Sequence, residues 1–249
     1  MMRSANPALH GDTFNIVNTT GNVMTLSGTV NKTAILLAFA VASGYWSWHV
    51  YLTDAAAGTN KVAGLMISGA LGGFIAAIVT VFKKQWSPIT APIYALLEGL
   101  FLGGISAMYN AQFKGIVVQA IGLTLAVLAT LLVAYKSGLI KPTENFKLGI
   151  VAATGGIFLV YMVSMILGFF GKSVPMIHSN GAIGIGFSIV VIVIAALNLV
   201  MDFDFIEDGA ERGAPKYMEW YGAFGLMVTL VWLYLEILRL LAKLQSRQR

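Results

Sequence analysis

Seven stretches of mostly apolar residues, separated by short polar connections, set the plan of this chain. They run over residues 33–52 (TAILLAFAVASGYWSWHVYL), 62–82, 91–110, 115–135, 147–170, 182–206 and 219–242. A helix that crosses the hydrocarbon core of a bilayer needs about 20 such residues. Each run meets that length, and none alternates apolar and polar positions as a barrel strand would. Backbone polar groups cannot go unpaired in lipid, so each run is predicted to be a helix. The fold class that follows is all-α, a polytopic membrane protein of seven transmembrane helices. Residues 1–32 are predicted to be a polar, flexible lead-in, residues 33–243 the seven-helix domain and residues 244–249 a basic tail. The lead-in holds no apolar core of the length a cleavable signal peptide needs, so the first span is expected to drive insertion.

Composition strengthens the membrane assignment. Hydrophobic residues make up 57% of the chain and charged residues 11%, where a soluble globular protein carries about 25% charged residues. The net charge is +5, but the basic residues gather at the ends of apolar runs, as they do in membrane proteins. Nucleic acid is therefore not an expected partner; the bilayer is. The chain has no cysteine, which excludes disulfides and thiolate metal sites. Small residues four apart in GLMISGALGGFIAA and GLFLGGISA predict close packing of the second and third helices, with a part in gating as the other reading.

Lys and Arg set the orientation. With the amino terminus in the cytosol, the inner side collects Arg3, Lys32, Lys83, Lys84, Lys136, Lys141, Lys147, Arg212 and Lys216. The outer loops then hold only Lys61, Lys114 and Lys172. The basic tail with Arg239, Lys243, Arg247 and Arg249 conflicts with an outer carboxyl terminus. Either the last helix tolerates a basic outer end, or one of the last two runs is re-entrant. The early positive charge favours seven full spans and a cytosolic amino terminus.

Ionisable groups inside apolar runs carry the chemical information, because such a group costs a few kcal/mol near the bilayer centre and usually faces a bundle interior or a water path. Glu98, Asp202 and Glu236 are the clear cases, with Asp204 and Glu207 near the end of the sixth run. His49 lies in the aromatic, interface-like YWSWHVY, and His10 and His178 fall in polar segments. Three histidines so placed cannot supply the clustered ligands of an intramembrane zinc hydrolase. Ser106 and Ser188 have no histidine partner in a span, which argues against a serine hydrolase. No glycine-rich stretch continues into the Lys and Ser or Thr of a phosphate loop. What survives is carboxylate chemistry without a nucleophile, suited to binding a proton or a cation, and no cofactor is expected. Glu236 has two open readings. Arg239, three residues on, shares its helix face and offers a local ion pair. Alternatively, the carboxyl meets a second one across helices, and such a pair shares a proton and titrates as a unit.

At these residues the chain resembles the Bax inhibitor-1 family, also called the transmembrane Bax inhibitor motif family, over about residues 60–243. SPITAPIYALLEGLFLGGISAMY resembles the family's third span, NLVMDFDFIED the acidic end of its sixth, and LVWLYLEILRLL the Leu-Tyr-Leu-Asp pattern of its seventh. The resemblance implies six helices wrapped around a central seventh. It further implies a calcium leak gated by protonation of an aspartate pair, for which Asp202 and Glu236 occupy the matching positions. Glu98 and Asp204 are then candidates for the ion path. The chain departs from the family pattern in four ways: glutamate at 236, a longer and more acidic connection in EDGAERGAPKYMEW, an acidic residue on the third span in place of the second, and a polar amino-terminal extension. The implied setting is the inner membrane of a bacterium. The leading functional expectation is a pH-sensitive cation leak with calcium as the transported ion. Its rival is a non-conducting regulator that holds a membrane protease or another membrane protein.

Overall fold

The computed structural model describes residues 23–171, 179 and 181–247. Seven helices follow one another: α1 Leu26–Ala57, α2 Lys61–Phe82, α3 Ser87–Gln112, α4 Ile116–Lys136, α5 Glu144–Phe169, α6 Ala182–Glu211 and α7 Met218–Arg247. All seven are long and apolar enough to cross a membrane. The described residues are 87% helical, and among them the one extended element is an isolated bridge between Val23 and Pro215. Large apolar side chains stand exposed along α1 to α6, among them Leu71, Phe74, Val118, Phe158 and Ile183; lipid, not water, is the medium that suits them. Helices α6 and α7 are unbroken over 30 residues each, which leaves no re-entrant break in either.

The helix ends explain where the sequence reading fell short. α1 begins at Leu26, seven residues before the apolar run, because Thr25 caps it by accepting the Gly28 N–H at 3.0 Å. A capping hydroxyl satisfies one of the free donors of a first turn, so residues 26–32, read as part of the lead-in, are helical.

The chain divides into two compact units. Among the described residues, one takes 23–114 with 205–227, and the other takes those of 115–204 with 228–247. In the first unit, α3 packs against α1 and α2 through glycines. A Cβ on Gly99 would overlap Ala40 and Ser43 of α1, and one on Gly103 would overlap the backbone of Gly44. Gly69 leaves the same room for the backbone of α3 on the α2 side. The four-residue spacing of small residues thus lets backbones touch. A hydroxyl pair, Thr80 to Thr90 at 2.7 Å, joins α2 to α3 two residues before the helix-interior Pro92. In the second unit, Asn198 of α6 donates to Thr154 of α5 at 2.9 Å. α7 is the most buried helix: 61% of its most apolar stretch is covered, against 17–44% for the others.

Candidate functional site

Glu236 sits in the carboxyl-terminal half of α7 and is 2% exposed. Its Oε1 accepts from the Tyr161 hydroxyl of α5 at 2.8 Å and from Arg239 Nη1 at 2.8 Å. Arg239 Nη1 also donates to the Tyr161 oxygen at 2.8 Å, and the guanidinium lies 5.3 Å from the centre of the Tyr161 ring. Phenol, carboxylate and guanidinium thus close a triangle in which every edge is a hydrogen bond. The ring of Tyr161 is braced edge-on by Phe187 of α6. Glu236 Oε2 is buried and accepts no hydrogen bond from the described residues. A buried carboxylate oxygen left in that condition is rare, and it is where a proton or a cation would gain most.

Two turns further along α7, Lys243 is also buried, and its ammonium donates to Gly184 O and Ser188 Oγ of α6, both at 2.9 Å. Residues 236, 239 and 243 share one face of α7. Sequence reading placed Lys243 in the exterior basic charge and passed over Tyr161 altogether. The signal for Tyr161 was a phenol inside a hydrocarbon-length run, since a buried tyrosine hydroxyl usually finds a partner.

The other expected residues lie elsewhere. Asp204 pairs with Lys147 of α5 at 2.7 Å, and Lys147 also reaches Glu144 at 3.7 Å. Glu98 is half-buried on α3, one turn after Tyr94, and faces Gly73 of α2, where a Cβ would come 3.1 Å from its carboxylate. Asp202 is fully buried on α6.

Helix α5 serves as a depth scale for Asp202 and Glu236. Tyr161 marks the level of Glu236, Thr154 that of Asn198 and Lys147 that of Asp204. Asp202 lies between Asn198 and Asp204, hence level with α5 residues between 147 and 154. At about 1.5 Å of rise per residue, that leaves it on the order of 15 Å from Glu236 along the helix axes. The Lys243 contacts agree: Asp202 is 14 residues beyond Ser188 on α6, whereas Glu236 is only 7 residues back from Lys243 on α7. By this scale the two carboxyls stand at different depths along α6 and α7. Two antiparallel helices meet at residues equidistant from their turn, and Asp202 is much nearer the turn than Glu236 is. Of the candidates, the structure brings together Glu236 and Arg239, with Tyr161 as the third member.

The family model for Bax inhibitor 1-like proteins matches residues 6–246, nearly the whole chain. The chain belongs to the Bax inhibitor 1-like family. No curated protein and no solved structure matches it. As a family member it is an integral membrane protein, and its buried acid–arginine–tyrosine triangle lies inside membrane-spanning helices.

Proposed function

We propose that this Bax inhibitor 1-like protein is a pH-responsive cation leak, with calcium as the ion and a bacterial inner membrane, amino terminus in the cytosol, as its setting. Glu236 is the proton-sensing group in this reading, acting through Arg239 and Tyr161. The observation that carries it is the buried, unsatisfied Oε2 of Glu236 beside a fully used Oε1. Protonation there cancels the negative charge that holds Arg239, and loss of one buried ion pair is enough to bias two helix arrangements that differ by a few kcal/mol. Calcium suits the setting because hard cations prefer oxygen ligands and the spans offer carboxylates and no thiolates. Glu98 and Asp204 remain candidates for the path itself, and Asp202 for a second proton-sensing group.

Purified protein in liposomes loaded with a calcium dye tests this directly. Calcium flux is expected to change with pH, and Glu236→Gln is expected to flatten that response while leaving the folded yield intact. A pH-dependent flux that survives Glu236→Gln would sink the sensing role. Absence of calcium flux at every pH would favour the non-conducting regulator.

A further inference from the structure

Two features set this chain apart in sequence, the polar amino-terminal extension and the long acidic connection between the last two helices, and the structure joins them. Val23 and Pro215 form an antiparallel bridge. Met24 N donates to Ala214 O at 2.7 Å, and the Met24 side chain is 1% exposed. Thr25 then gives both its N–H and its hydroxyl to Glu219 Oε1, at 3.0 and 2.8 Å. Lys216 adds a third donor to the same oxygen at 2.7 Å, and Lys32 Nζ stands 3.5 Å from Oε2. Glu219, in the first turn of α7, is completely buried. Gly28 makes the room, since a Cβ there would overlap the Glu219 carboxylate. Ser87, at the start of α3, donates to Tyr217 O of the same turn at 2.9 Å.

Each contact alone is ordinary capping. Together they form a docking site for three consecutive residues: a backbone pair, a covered side chain and a buried carboxylate that reads the next residue's N–H and hydroxyl. Charge-assisted bonds of this kind are about twice as strong as neutral ones. The segment they hold precedes α1, while the surface that holds it is the turn between α6 and α7. We propose that Val23–Thr25 is a latch that docks on the α6–α7 turn, fixes the helices that carry Asp202 and Glu236, and frees them when it withdraws. The docking stands on its own contacts; its effect on ion flow rests on the leak reading above.

The chain contains no cysteine, so introduced thiols report without background. In the full-length protein in detergent, the thiol of Met24→Cys should react slowly with a maleimide, and adding Glu219→Gln should speed it by about tenfold through a larger undocked population. Equal rates in the two backgrounds would overturn the latch. Val23→Cys with Pro215→Cys tests the same geometry, because directly opposed residues of an antiparallel bridge lie within disulfide reach. The pair should cross-link on mild oxidation, and failure to do so would also overturn the docking. In calcium-loaded liposomes, the oxidised protein should leak several-fold more slowly and recover on reduction. A leak that ignores the cross-link would overturn the gating role. A protein that never leaks defeats the leak reading alone, and the maleimide rates still decide the latch.

Discussion

Helix α7 carries a buried glutamate near each end, and the two are held in different ways. Glu219 lies in the first turn, where free backbone N–H groups already favour negative charge, and two lysines and a threonine with two donors surround it. Glu236, about 25 Å further along the axis, has one arginine from its own helix and one phenol, both on the same oxygen. Burial is equal, so burial does not distinguish them. Compensation does. Glu219 has more positive partners than it has charge, which suits an anchor. Each carboxylate keeps one buried oxygen without a hydrogen bond, but that of Glu219 faces Lys32 at 3.5 Å, whereas Glu236 is hydrogen-bonded to one cation, Arg239, which suits a group whose charge is meant to change.

The largest expected effect comes from crowding the anchor. Gly28→Ala places a methyl where the Glu219 carboxylate sits and forces it out of its donors. Separating a buried carboxylate from its partners costs several kcal/mol, and with partial rearrangement a loss of about 2–4 kcal/mol is expected in unfolding experiments in detergent. Glu219→Ala added to Gly28→Ala should recover part of that loss, since the overlap is then gone. A harmless Gly28→Ala would show that Glu219 is no better anchored than Glu236.

A smaller effect is expected at the other end. Arg239→Ala removes the cation hydrogen-bonded to Glu236, but the arginine side chain is 36% exposed, so solvent screens part of the interaction. A destabilisation of about 1–2 kcal/mol follows. It should shrink when Glu236→Gln is already present, because a neutral amide keeps the Tyr161 contact and needs no counter-charge. Equal losses in both backgrounds would mean that Arg239 serves packing and not the carboxylate.

These sites differ also in how much of them the sequence disclosed. The seven helices were legible because lipid demands about 20 apolar residues per crossing. The Glu236–Arg239 contact was legible as well, since residues three apart on a helix are neighbours wherever that helix goes. Tyr161 was not, because its partners lie 75 and 78 residues away and no local rule links them. The early start of α1 was hidden for a related reason: its first turns are polar and are held by Glu219, 194 residues from Thr25. Asp202 misled most. Its type and its run were informative, but the depth at which it meets other helices depends on the turn at Ala214 and Pro215, and an acidic residue carries no mark of that register.

The smallest expected effect is the one that bears most directly on the family's paired-acid reading. If Asp202 and Glu236 shared a proton, neutralising either would relieve the other, and the double change would add little to each single one. At a separation on the order of 15 Å along the helix axes, with Tyr161 and Arg239 holding Glu236, direct coupling between the two carboxyls is expected to be weak. Sites more than about 7–10 Å apart usually combine additively within about 0.5 kcal/mol. Asp202→Asn, Glu236→Gln and the double variant should therefore give unfolding free energies that sum within that margin, at neutral and at acid pH alike. The flux profiles should follow the same rule, with Glu236→Gln changing the pH response and Asp202→Asn changing it independently or not at all. A coupling well above about 1 kcal/mol, present at neutral pH and gone in acid, would mean that the two carboxyls approach each other in a second arrangement of α6 and α7. That outcome would restore the pair and make the arrangement described here its separated state.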